Sequence, residues 1–322
     1  MNIRVLKPGS FTTIQDAGRW GSQQLGVSAS GPMDEVSHRI ANLLVGNPPA
    51  AATLEVTLLG PVLGFDVDAV VAVVGGTPNV RLDGSPVPAA RTLQVTSGEV
   101  LTVKDLARGA RCYIAVAGGI VVPEVLGSCA THARSRLGGL LGRPLRSGDV
   151  LQVGRAAAAA GRPWAARAAH WSVSSYELAR LHSPDPIRVL RGRHEARFPA
   201  GVRDAFYQER FLITTQSDRM GFRLRAGSAA LASHTAAISE GVSFGTVQLP
   251  PDGHPIVLMA DRQPTGGYPC IANVITADLP RLAQCRPGES ISFEQVTLER
   301  AYEALRGQEE FLRRLALSLQ AA

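Results

Sequence analysis

The chain has 322 residues, 45% of them hydrophobic and 19% charged, which is ordinary for a globular protein, long for one domain and comfortable for two. Its net charge of +6 is carried almost wholly by arginine, since Lys7 and Lys104 are the only lysines, and the arginines are scattered among alanines and acids with no basic stripe of the kind nucleic-acid binding uses. No apolar run is long enough for a spanning helix and the start, MNIRVLKPGSFTT, has no signal-peptide core, so a cytoplasmic location is expected.

In chain order, the first helical pattern runs from Met33 to Val45, with Val36, Ile40, Leu43 and Leu44 on one face and Gly46 as its stop. Strands follow at Leu54 to Leu59, Ala69 to Val74 and Tyr113 to Ala117, each short, rich in apolar or β-branched residues and bounded by glycines. Ser174 with Glu177 reads as a capping box for a short helix that ends before Pro184. Pro255 to Met259 reads as a buried strand. The last helix starts near Thr297, its apolar stripe made by Leu298, Ala301, Tyr302, Leu305, Leu312, Leu315 and Leu319.

Short repeats run through this pattern. SGEVLTV (Ser97 to Val103), SGDVLQV (Ser147 to Val153) and PGESISF (Pro287 to Phe293) share a glycine turn, an acid and a strand. VVGG (Val73 to Gly76) is echoed by VAGG (Val116 to Gly119), and Ile3 to Gly9 by Ile187 to Gly192. Two related β-rich halves fit this better than an α/β sheet, which needs a helix between successive strands. The expected domains are 1–185 and 186–322, the first carrying the Ala- and Arg-rich linker Arg155 to His170 and the second the C-terminal helix.

Several chemistries are excluded by absence. The sequence has no GxxxxGK[ST], strand-linked GxGxxG, HExxH or GxSxG motif, and its seven histidines stand apart, so no metal site is expected. Cys112, Cys129, Cys270 and Cys285 lack paired spacing and read as buried, idle thiols. No lysine sits in a biotin-carrying context. Four polar clusters remain: Thr12 to Arg19 with Ser30 to Asp34, then Ser217 to Gly221, then Ser239 to Gly241 with Gln248, and finally Asp261 to Gln263 with Thr265 to Tyr268. Each has a plain structural reading, such as an Asx turn in Asp-x-Gly-Arg or a helix start at Gly-Pro-Met-Asp. Their recurrence at strand ends in both halves points instead to a cleft between two β domains. In an extended segment Asp261 and Gln263 would face one side and Arg262 the other. A guanidinium there would bind a carboxylate or phosphate, a glutamine would read an amide, and Asp261 would serve as a base or orient one. Gly266 and Gly267 would let backbone N–H groups approach a ligand oxygen. A small anionic amide is the ligand class this suggests.

Long stretches carry a family pattern: TTIQDAGRWG (Thr12 to Gly21), GVSASGPMD (Gly26 to Asp34), SDRMGFRL (Ser217 to Leu224), SEGVSFGTVQLP (Ser239 to Pro250) and ADRQPTGGYPCIANVITADLPRLAQCRPGESISF (Ala260 to Phe293). Over nearly its whole length the chain resembles the biotin-dependent carboxyltransferase, or allophanate hydrolase subunit 2, family, which includes KipA-like proteins. The resemblance implies a mainly β fold of two cyclophilin-like β-barrel domains with a few short helices. It also implies a role as the C component of an ATP-dependent 5-oxoprolinase, a cytoplasmic complex that opens 5-oxoproline to glutamate. The partners would be a KipI-like B component and a PxpA-like A component. No cofactor is expected to be covalently bound, and the ATP site is not expected on this chain alone. Two other roles stay open: a carboxyltransferase component using biotin carried on another chain, as in urea carboxylase, and a non-catalytic KipA-like regulator that binds a KipI-like partner.

The site expected from residues and resemblance together has Asp261, Arg262 and Gln263 polarising and anchoring substrate. Asp218 and Arg219 would form a facing wall, Thr265, Gly266, Gly267 and Tyr268 would line it, and Gln15, Asp16 and Arg19 would stand near the same cleft or the partner interface. Two positions depart from the family pattern: Cys270 stands where a basic residue is expected after Tyr-Pro, and Pro264-Thr265 where Thr-Thr is expected. The amidase chemistry in the family's second name would need a Ser-Ser-Lys constellation, which two lysines scarcely supply.

Overall fold

Ala69–Val74 shows how this sequence becomes sheet. In a computed structural model of the chain, AVVAVV forms a strand at those six residues, paired antiparallel with Arg111–Val116 on one edge and Thr92–Val95 on the other. Side chains alternate across the pleat. Val71 and Val73 enter one apolar core, while Ala72 and Val74 enter a second. A segment apolar at every position is therefore buried on both faces, each valine contributing roughly 1.5–3 kcal/mol.

The structure describes residues 2–155, 172–174, 177–178, 186–226, 231 and 237–321. The Ala- and Arg-rich linker beyond Arg155 and most of the helix expected after Ser174 lie outside them. By contacts the chain divides into two units: Met1–Arg19 with Ser30–His182 and Glu310–Ala322, and Trp20–Ala29 with Ser183–Glu309. The division expected near residue 185 is thus accompanied by two exchanges, one of an N-terminal segment and one of the end of the last helix.

The first unit holds two sheets. One has seven strands, in spatial order Ile120–Val121, Val150–Val153, Asn2–Lys7, Val62–Phe65, Val100–Leu106, Pro78–Leu82 and Ser85–Val87. The other has five: Phe11–Gln15, Thr53–Thr57, Arg111–Val116, Ala69–Val74 and Thr92–Val95. The core between them includes Ile3, Leu54, Val56, Leu63, Phe65 and Ile114. The outer face of the five-stranded sheet packs against the helix Glu35–Leu44 and against Leu312 and Leu319 of the last helix. Asp34 caps the first of these, its Oδ1 accepting the Ser37 N–H at 2.9 Å.

The second unit is built on an eight-stranded sheet: Ser290–Ile291, Phe211–Ile213, Gly221–Ala226, Ile256–Leu258, Thr246–Gln248, Cys270–Val274, Ile187–Arg191 and Phe293–Gln295. Its two edge strands are consecutive in the chain, joined only through Ser292, so the sheet nearly closes into a barrel. Phe206, on the helix Ala200–Gln208, stacks on Phe293 at 4.9 Å and leans on Phe211 at 5.7 Å, which plugs that seam with aromatic surface.

The repeats at Ser97, Ser147 and Pro287 are one turn used three times. Gly98, Gly148 and Gly288 sit at φ 92°, 88° and 93°, as the third residue of a type II turn requires. In each, the following acid donates its N–H back across the turn, Glu99 to Thr96, Asp149 to Arg146 and Glu289 to Arg286. The same acid's carboxylate accepts the N–H of that residue, Arg146 at 2.7 Å and Arg286 at 2.9 Å among them. The glycine N–H donates to Phe65, Val5 or Ile213 respectively. Both units carry this device.

The mainly β, barrel-like class holds, and the last helix, Leu298–Ala321, spans the whole apolar stripe expected from Leu298 to Leu319. The strand expected over Leu54 to Leu59 is Thr53–Thr57, and Leu58, at φ 59°, turns the chain out of the sheet. No helix among the described residues is long and apolar enough to cross a membrane.

Candidate functional site

The strand Ile256–Leu258 does not run on extended through Asp261. The Arg262 N–H donates to the Met259 carbonyl at 3.1 Å, closing a turn. This overturns the expected alternation: Asp261 and Arg262 are both buried, at 6% and 8% exposure, and Gln263 is exposed. The neighbouring turn, 217–221, packs alongside. Asp261 N–H donates to the Arg219 carbonyl at 2.8 Å, and Met259 N–H to that of Met220 at 2.9 Å.

Asp261 and Arg219 form a buried two-pronged pair, Nε to Oδ2 and Nη2 to Oδ1, each 2.9 Å. Both carboxylate oxygens are engaged, so Asp261 is placed as the anchor of the turn rather than as a free base, and Arg219 is its counter-ion rather than a facing wall. Asp218 closes its own turn, accepting from the N–H groups of Met220 at 2.8 Å and Gly221 at 3.2 Å. This is the Asx geometry that gives aspartate its turn preference.

Arg262 is different. It makes no ion pair among the described residues. Its contacts are two long hydrogen bonds, Nε to the Val242 carbonyl at 3.5 Å and Nη1 to that of Met259 at 3.4 Å. Its guanidinium lies over the Phe244 ring at 5.8 Å. Burial pulls its pKa down from the usual range to about 10, and no nearby carboxylate counters that. A buried cation without a counter-ion is costly to the free protein and complementary to an anionic ligand.

The rest of the loop is framed less openly than expected. Thr265–Gly266 pairs with Glu240–Gly241 as a two-stranded ribbon. A Cβ on Gly266 would come within 2.5 Å of Gln248 Nε2, so this glycine makes room for the Gln248 side chain, which donates to the Tyr268 carbonyl at 3.1 Å. Gly267 is exposed and the Tyr268 ring is half-exposed. Thr265 is exposed too. Cys270 is buried; its N–H donates to His194 Nδ1 at 3.1 Å and burial pushes its thiol pKa up. The cation of that corner is Arg193, paired with Glu240.

Gln15, Asp16 and Arg19 belong to the first unit, where all three hold one loop. Asp16 accepts from the Ser128 hydroxyl and the Cys129 N–H, both at 2.6 Å, and from Gly18 N–H at 3.0 Å. Arg19 donates to the carbonyls of Val125 at 2.7 Å and Ala130 at 2.8 Å. Gln15 Nε2 donates to the Thr131 carbonyl at 3.0 Å. Three residues read as candidate ligand groups thus position the segment 125–131.

A buried network in the same unit went unread. Glu55 Oε2 accepts from the Tyr113 hydroxyl at 2.7 Å and from Met33 N–H at 2.8 Å, and the Asp34 N–H donates to Tyr113 Oη at 2.8 Å. His38 stands edge-on to Tyr113, with Nδ1 3.0 Å from Thr53 Oγ1. A carboxylate inside the strand Leu54-Glu-Val-Thr was the available signal, because a glutamate in a doubly covered strand must find partners.

A family model described as carboxyltransferase domain, subdomain A and B, matches residues 25–295. The 5-oxoprolinase C subunit of Escherichia coli (strain K12) is 38% identical over 317 residues, 98% of each chain. That of Haemophilus influenzae is 37% identical over 310 residues, 96% of each. Among solved structures, the Kluyveromyces lactis urea amidolyase matches with a TM-score of 0.85 at 31% identity, over 98% of this chain and 20% of that one. With the family model covering most of its length, the chain belongs to the carboxyltransferase domain family, subdomains A and B.

Proposed function

We propose that the chain is the C component of an ATP-dependent 5-oxoprolinase complex, opening 5-oxoproline to glutamate together with the A and B components. The observation that carries this reading is the end-to-end match to two bacterial 5-oxoprolinase C subunits, each covered over nearly its whole length. The geometry is in keeping with it. 5-Oxoproline is a lactam with a carboxylate, and Arg262 is a buried guanidinium with no counter-ion among the described residues. Arg262 binds that carboxylate, the Arg219–Asp261 pair keeps the turn in place, and the exposed amide of Gln263 is beside it to read the lactam. ATP is bound with the help of the partner components, a KipI-like protein and a PxpA-like protein.

The TM-score of 0.85 to a urea amidolyase favours a second reading, carboxyl transfer with biotin carried on another chain. The group moved in that reaction is itself a carboxylate, so the same guanidinium would serve. One reconstitution separates the two. ATP hydrolysis that depends on 5-oxoproline, on this chain and on both partner components supports the first reading. Activity indifferent to this chain, or blocked by avidin, refutes it.

A further inference from the structure

Ser28 comes from the N-terminal segment Trp20–Ala29, the one stretch before residue 183 that belongs to the second unit. It is buried, 9% exposed, and its hydroxyl donates to the Arg262 carbonyl at 2.7 Å, with a weaker 3.3 Å approach to the Asp261 carbonyl. A hydroxyl has one proton, so the short bond is the main one. The Arg262 backbone is thereby tied at both ends: its N–H to Met259 by the turn, its carbonyl to a residue 234 positions away in sequence. The side chain between them makes two long hydrogen bonds, to the carbonyls of Val242 and Met259, and lies over the Phe244 ring. The main chain from which the guanidinium projects is therefore fixed on both sides.

We propose that Ser28 is a positioning residue that fixes the Asp261–Arg262 turn so that the Arg262 guanidinium is held ready for a small carboxylate. This rests on the anion-binding role given to Arg262 above. A pre-set guanidinium binds without first ordering its own backbone, and that gain is lost when the hydroxyl is removed.

The test compares Ser28→Ala and Ser28→Thr in the full-length chain. In the reconstituted complex, Ser28→Ala is expected to raise KM for 5-oxoproline about tenfold with kcat held within about twofold, and Ser28→Thr to recover most of the loss. In the isolated chain, labelling of Arg262 by phenylglyoxal, followed by peptide mass spectrometry, is expected to be slowed by 5-oxoproline in the wild type and not in Ser28→Ala. An unchanged KM, or protection that survives in Ser28→Ala while Tm falls, means that the serine only staples the segment in place and overturns the proposal. If the wild-type complex hydrolyses no ATP in response to 5-oxoproline, the functional reading fails separately. The labelling arm, run with acetate as the carboxylate, then decides the role of Ser28 alone: equal protection of Arg262 in wild type and Ser28→Ala overturns it.

Discussion

Arg219 and Asp261 meet through two parallel hydrogen bonds of 2.9 Å, both residues less than a tenth exposed. Removing one partner of such a pair leaves a buried charge alone, which costs about 3–5 kcal/mol, whereas replacing both with apolar groups costs far less. Asp261→Ala is therefore expected to lower stability by that amount, and Asp261→Leu with Arg219→Met by much less. A double-mutant cycle followed by urea unfolding measures the coupling. Additive losses would show that the pair does not hold the turn.

Arg262 should behave in the opposite sense. Its charge is buried without a counter-ion among the described residues, and burial alone lowers its pKa to about 10. Arg262→Met keeps the bulk and removes the charge, so thermal stability is expected to stay level or rise. The kcat/KM of the complex for 5-oxoproline is expected to fall on the order of 100-fold, the loss of a charge-assisted contact to the ligand. A variant that unfolds more easily, or that keeps its activity, would remove the anion-anchor role.

How much of this was legible follows from where the partners sit. The three acid-glycine turns were visible because the glycine, the acid and the residue that the acid closes on all lie within four residues of chain. The strand Ala69–Val74 was visible because its composition alone demands burial. Asp261 and Arg262 were recognised as residues and misread as geometry, since period-two alternation assumes an extended chain and the Arg262 to Met259 hydrogen bond makes a turn. Asp16 and Arg19 looked like ligand groups because their true partners, Ser128, Val125 and Ala130, lie more than 100 residues away. The exchange of Trp20–Ala29 into the second unit leaves no local trace, for no single residue type marks a segment that packs elsewhere.

The turn glycines offer a clean conformational test. At Gly98, Gly148 and Gly288 an added Cβ would meet no atom within 4 Å, so substitution brings no clash. What remains is the left-handed backbone, near φ 90°. Gly148→Ala and Gly288→Ala are each expected to cost about 1 kcal/mol, with little effect on activity. Chemical denaturation checks this, and a neutral result would mean that the turn relaxes to another type.

Asp16 joins three donors of its loop: Gly18 N–H, the Ser128 hydroxyl and Cys129 N–H. Asp16→Ala leaves these donors without their acceptor, at a cost of about 1–3 kcal/mol for each that stays buried. Amide hydrogen exchange should therefore accelerate at Cys129 and its neighbours while the strand Arg111–Val116 keeps its protection. Uniform acceleration across the unit would show that Asp16 supports the whole fold instead of the loop.

His38 gives the protein a pH dependence of predictable sign. It is 1% exposed, and burial lowers its pKa to about 4 despite the opposing pull of Asp16, Glu55 and Asp34. In the unfolded chain the same ring titrates near 6.5. Between those values the unfolded state takes up a proton that the folded state refuses, so stability is complete above the upper value and declines as pH falls. The full loss is about 3 kcal/mol, reached below pH ~4, with a slope approaching 1.4 kcal/mol per pH unit inside the window. His38→Gln cannot titrate, so it should be less stable at pH 7, where it loses the packing against Tyr113, yet flatter between pH 6.5 and 4.5. Urea unfolding at several pH values reads the slope directly. Aspartate and glutamate ordinarily take up protons around pH 4, mainly below that range, which keeps the histidine contribution separable. Identical slopes in wild type and variant would mean that the ring is not held neutral by its burial.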